Sequence, residues 1–169
     1  MRKFWKAIKD YVYIIIAVVL FRTFIATPAI VDGDSMDTTL ADGQIVLINK
    51  IIYSISDIER YDIVIVENDE DNDKIIKRVI GLPNEKISYK DDVLYINDNK
   101  VKMNIKFEHT DDFETETKDN EYFVMGDNRD ISKDSRVLGN FNEDSIIGRV
   151  GFRFYPFDKA GMIKWKMEK

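Results

Sequence analysis

A series of short runs rich in β-branched and aromatic residues, each closed by Gly, Asn, Asp or Pro, constrains this chain more than any other feature of its sequence. Residues 44–50, 62–66, 74–80, 86–89, 93–96, 122–125 and 147–155 are too short for stable helices and have the composition of strands. Between them, Lys90-Asp91-Asp92 and Asn97-Asp98-Asn99-Lys100 carry hairpin-turn chemistry, which predicts a small antiparallel ribbon over residues 86–101. Helical periodicity is weak beyond the N-terminal segment, so the expected fold is mainly β and built from antiparallel hairpins. A chain of 169 residues, 44% of them hydrophobic, can bury one domain of ordinary size and carry a short anchor besides.

That anchor is expected at the N-terminus. Arg2, Lys3, Lys6 and Lys9 precede an unbroken apolar run over residues 11–21, and the chain stays mostly apolar through Ala26. The run is shorter than the roughly 20 apolar residues that cross a bilayer. Phe4, Trp5, Ala7 and Ile8 extend it inward, and Arg22 can snorkel to the outer headgroups. A cleavable signal peptide is the alternative, because Ala26-Thr27-Pro28-Ala29 resembles a small-residue cleavage site. The reading adopted is a basic cytoplasmic segment over residues 1–10, a transmembrane helix over 11–27 and an extracytoplasmic domain over 28–169, with the ribbon inserted at about 84–120.

Composition removes several classes of chemistry. The net charge of −6 argues against nucleic-acid binding. With no cysteine there is no disulfide, thiolate metal site or thiol nucleophile. The single histidine, His109, sits in an acidic stretch, reads as a solvated loop residue, and makes a zinc site or a Ser-His-Asp triad a poor fit. The acidic stretches 67–73 and 109–121 read as solvated loops, since the first lacks the spacing and glycine of a calcium-binding helix-loop-helix.

Three polar stretches carry the remaining chemistry. Gly33-Asp34-Ser35-Met36-Asp37-Thr38-Thr39-Leu40 is a turn whose serine is either decoration or a nucleophile. A serine nucleophile needs a base, and the candidate is Lys77, which shares a strand face with Ile75 and Val79 while Arg78 faces the other way. Bringing a lysine from about 10.4 to about 7 or 8 takes roughly 3 to 5 kcal/mol of environmental bias, which burial supplies. Taken alone, the strand favours reading both cations as edge-strand charges that discourage aggregation. The third stretch, Gly126-Asp127-Asn128-Arg129-Asp130-Ile131-Ser132-Lys133-Asp134-Ser135-Arg136, offers a hydroxyl at Ser132 to orient a neutral lysine and an Asp134–Arg136 ion pair to brace the loop.

With Lys77-Arg78-Val79-Ile80-Gly81-Leu82-Pro83 between them and Tyr61-Asp62-Ile63-Val64 as a weaker fourth motif, these stretches resemble, in order, the type I signal peptidases. These are membrane-anchored serine proteases with a serine-lysine dyad, and the match is to their short bacterial forms. The resemblance implies an antiparallel, barrel-like β domain that cuts signal peptides from exported preproteins, without metal or cofactor. It assigns Ser35 as nucleophile, Lys77 as general base and Ser132 as the hydroxyl holding the lysine. Asp134, Arg136 and Arg78 become structural charges, and Met36 a residue lining the entrance. The partners implied are signal peptides, bound as an added β-strand with small residues at the first and third positions before the cut, and membrane lipid.

Two positions depart from the family pattern. Gly33 lacks the hydroxyl that supplies a second oxyanion donor in some members, a loss on the order of a hundredfold in rate. Asp37 stands in place of a proline, which loosens the turn and is expected to raise the pKa of Lys77. A catalytically impaired, membrane-tethered relative that binds signal peptides is the alternative function. A soluble self-cleaving serine-lysine regulator fits less well, since this chain has an anchor-like segment.

Overall fold

The computed structural model describes residues 9, 11–16, 18, 26–68, 73–101 and 109–163. They are organised around two antiparallel sheets. The larger orders its strands β1 (Ala26–Ile30), β2 (Ile45–Asn49), β11 (Ile146–Tyr155), β3 (Ile63–Asn68), β4 (Asp73–Gly81), β9 (Glu121–Met125) and β10 (Phe141–Asn142). A two-residue strand, β12 (Gly161–Met162), pairs with β11. The smaller sheet runs β7 (Asn99–Lys100), β6 (Val93–Ile96), β5 (Lys86–Lys90), β8 (Phe113–Glu116).

The expected strands form within a residue or two of their expected bounds, because alternating apolar side chains give each a face to bury. Ile63, Ile65, Val46, Ile48 and Val150 join Met36 and Leu40 in one apolar cluster. Val64, Val66, Val79 and Val124 form a second on the opposite face of the sheet. A third, with Ile80, Ile87, Tyr89, Leu94, Phe123 and Met125, joins the ribbon to the main sheet. The ribbon turns are as expected: Asp91 and Asp92, then Asn97 and Asp98, have φ between +50° and +62°, the pairwise positive values of a two-residue hairpin loop.

Two expectations need correction. The stretch 109–121 is not all loop: Phe113–Glu116 is strand β8, paired with β5 from Lys86↔Glu116 to Tyr89↔Phe113. Phe113 drives this by stacking on Tyr89, with centroids 5.4 Å apart. His109 is exposed as expected, with its ring Nδ1 3.0 Å from an Asp92 carboxylate oxygen. The second correction concerns the anchor's C-terminal end, where Ala26 and Thr27 are the first residues of β1. Residues 11–16 and 18 are helical with exposed apolar side chains, and residues 17 and 19–25 of the expected anchor lie outside the described residues. Among the described residues no helix is long and apolar enough to cross a membrane. Residues 69–72 of the acidic stretch 67–73 also lie outside them.

Candidate active site

The chain leaves β1 and folds into a tight turn that presents Ser35. Gly33 sits at φ +80° with its N–H donated to Asp42 Oδ1 at 2.8 Å, a conformation glycine takes without strain. Asp37 N donates to Asp34 O at 3.0 Å, and Leu40 N to Met36 O at 2.8 Å. Met36 and Leu40, 1% and 0% exposed, pin the turn to the core, while Ser35 just before them stays partly open. Met36 is thus a core residue that also reaches the floor of a groove.

Lys77 comes from β4, opposite Val64 of β3. Its side chain is 3% exposed, and its Nζ lies 2.7 Å from Ser35 Oγ and donates to Ile76 O at 3.1 Å. Burial pulls its pKa down to about 8, against the opposing pull of the Asp134 and Asp127 carboxylates. An amine with that pKa, in hydrogen-bond contact with a hydroxyl, can take the hydroxyl's proton near neutral pH.

The third motif closes the site from behind. Asp134, fully buried, caps the short helix Ser135–Leu138 by accepting from Arg136 N. It also accepts from Gly126 N at 2.9 Å and from Arg136 Nε and Nη2 at 2.9 and 3.0 Å. The Asp134–Arg136 pair therefore forms as expected, and Arg136 Nη2 further donates to Arg129 O at 2.7 Å. Arg78, beside Lys77 in sequence, is fully buried and donates twice to Asp127, at 2.8 and 2.6 Å. Its other contacts are Tyr61 O at 3.0 Å and Thr39 Oγ1 at 3.2 Å.

Two expectations about this site change, and two residues join it. The Ser132–Lys77 hydrogen bond is not made: Nζ is engaged by Ser35 and Ile76, and Ser132 Oγ is buried without a hydrogen-bond partner among the described residues. Ser132 is nonetheless at the site, since a Cβ on Gly126 would lie 2.2 Å from Ser132 Oγ and 2.4 Å from the Ser35 carbonyl oxygen. Asp37 is exposed, accepts from Thr38 N at 2.7 Å, and is not among the carboxylates acting on Lys77. Its own N–H bond to Asp34 O is one that a proline there would lack. Asp127 and Arg129 went unassigned in the sequence. Asp127 was findable, because a buried arginine needs an acid. Arg129, which reaches from the loop to Tyr89 OH at 2.9 Å, had no local signal.

In front of the pair runs a groove of about 500 Å³ with Ser35 and Lys77 in its lining. One wall is Thr27 to Asp32 and the other Asp73 to Lys77, over a floor that includes Ile48 and Ile65. Both walls are strand edges: among the described residues β1 pairs with β2 on its other side, and β4 meets β9 from Arg78 onward.

The family model for Signal peptidase, peptidase S26, matches residues 4–155. Signal peptidase IB of Staphylococcus aureus (strain Mu50 / ATCC 700699) is 39% identical over 156 residues, covering 80% of this chain and 81% of that one. Signal peptidase I S of Bacillus subtilis (strain 168) is 42% identical over 165 residues, covering 89% of each. The crystal structure of a signal peptidase I from Enterococcus faecalis V583 superposes with a TM-score of 0.51 at 32% identity, over 57% of this chain and 98% of that one.

Proposed function

Because the chain belongs to the signal peptidase family, peptidase S26, whose members are serine endopeptidases, we propose that it removes signal peptides from exported preproteins with Ser35 as nucleophile and Lys77 as general base. The observation that carries this reading is the 2.7 Å contact between Lys77 Nζ and Ser35 Oγ in a site where burial lowers the lysine's pKa to about 8. Neutral Lys77 takes the Ser35 proton as Oγ attacks the scissile carbonyl carbon. The developing oxyanion is met by the Ser35 N–H, which makes no hydrogen bond among the described residues. The ammonium then returns its proton to the leaving amine. Water, activated by the same lysine, releases the acyl group from Ser35.

In this reading Asp134, Arg136 and Arg78 hold the loop and strand that aim the pair, Ser132 packs behind it, and Gly33 adds no side-chain donor. The substrate lies extended between the open edges of β1 and β4 as an added strand. Its side chains at the first and third positions before the cut face the groove floor and must be small. The domain faces the extracytoplasmic side of the membrane, tethered by a single helix that begins at residue 11 and ends before β1, with the basic N-terminus inside. Exposed Phe154, Tyr155 and Phe157, whose rings meet edge to face, suit a domain lying against lipid.

The test is cleavage of a signal-peptide substrate with alanines at the first and third positions, followed by mass spectrometry with the full chain in detergent. Wild type is expected to cut after the first-position alanine, and Ser35→Ala and Lys77→Ala to leave the substrate intact. Binding without cleavage by wild type would instead make the chain a tethered signal-peptide-binding protein.

A further inference from the structure

The groove carries a charge that the proposed chemistry does not use. Asp32 lines it three residues before Ser35, is exposed, and makes no hydrogen bond or ion pair among the described residues. Its direction follows from the alternation of the strand before it. Ala29 and Val31 pack into the apolar cluster under the groove, whereas Pro28 and Ile30 are exposed. Asp32 continues the outward set just past the end of β1.

An extended peptide in the groove alternates in the same way, and this step rests on the strand-addition reading above. Side chains at the first and third positions before the cut face the floor, and the second faces the rim. At the end of the groove nearest Ser35, the charged rim side chain is Asp32. Across the groove, Lys77 is turned to Ser35. Lys74, three residues back along β4 and so about 10 Å farther from the pair, has Glu67 at 3.8 Å. Asp34 and Asp37 are also exposed but lie outside the groove lining, and Asp37 is held by Thr38 N.

We infer that Asp32 sets a charge preference at the second residue before the scissile bond, favouring a cationic side chain and disfavouring an anionic one. The pair formed is solvent-exposed, so the discrimination is modest: about two- to fivefold in kcat/KM between lysine and glutamine, with glutamate slower again. Because it acts through screened charge, it shrinks as salt rises.

The experiment compares three otherwise identical signal-peptide substrates with Lys, Gln or Glu at that position and alanine at the first and third, cut by the full chain in detergent at low salt. The expected order is Lys, Gln, Glu in wild type. The Lys-to-Glu ratio should collapse toward one in Asp32→Asn and persist in Asp37→Asn. A ratio within each variant is unaffected by any change in overall activity. Equal cleavage of all three by wild type, or an order that survives Asp32→Asn, overturns the inference while leaving the peptidase reading intact. Failure of wild type to cut any of the three overturns the peptidase reading itself.

Discussion

Lys77 and Arg78 are neighbours on one strand, both almost wholly buried, and the fold treats them in opposite ways. Arg78 is given a carboxylate, with two bonds to Asp127 and further acceptors at Tyr61 and Thr39. Lys77 is given a hydroxyl and a carbonyl, with Asp134 and Asp127 acting on it through space without a salt bridge. Burial alone therefore does not decide a cation's fate; the partner does. A guanidinium held by a carboxylate stays charged and serves the structure. An amine stripped of water and left without an ion pair is pushed toward its neutral form, the form a general base needs.

The contrast can be broken from either side. Lys77→Arg places a group that cannot lose its proton where a neutral one is required, and cleavage is expected to fall by about 10²- to 10⁴-fold, read as kcat/KM on a signal-peptide substrate. Asp127→Asn strips Arg78 of its partner and leaves a buried charge uncompensated, a loss of roughly 3 to 5 kcal/mol of stability by denaturant unfolding.

Removing the cost of burying Lys77 sharpens the contrast. Its pKa is about 8 in the folded chain against 10.5 for the free side chain, so between those values the unfolded chain binds more protons and stability rises with pH. Below about pH 8 the buried ammonium costs on the order of 3 kcal/mol. Lys77→Met is thus expected to be more stable than wild type at pH 6 to 7 by up to that amount, with the gain fading toward pH 10.5 in paired denaturation series. The smallest effect is that of Asp134→Asn. The residue can still cap its helix but no longer raises the lysine's pKa, so the alkaline-rising limb of the rate profile should move to lower pH by less than about one unit.

What was legible in the sequence follows the range over which each signal acts. The central strands and the ribbon turns were readable because β-branched alternation and Asp-Asp or Asn-Asp pairs are local. Ser35 and Lys77 stood out in the sequence as a candidate nucleophile and base because each sits in a motif that resembles a family. β1 was hidden by Pro28 and by its small residues abutting the apolar N-terminal run, and β8 by the acidic residues around Phe113. Asp127 was missed because it meets Arg78 from 49 positions away. The effect expected of Asp37 failed for a related reason: it is close to Ser35 in sequence, yet its carboxylate is exposed and bound to Thr38 N.

The central claim is that a desolvated, unpaired lysine activates Ser35, and the most direct measurement of it is the pH dependence of kcat/KM from pH 6 to 10 on one signal-peptide substrate. The account expects a single rising limb with an apparent pKa near 8, from about tenfold lower activity one unit below it to a plateau above it. A flat profile over that range, or a limb that persists in residual cleavage by Lys77→Ala, would contradict it.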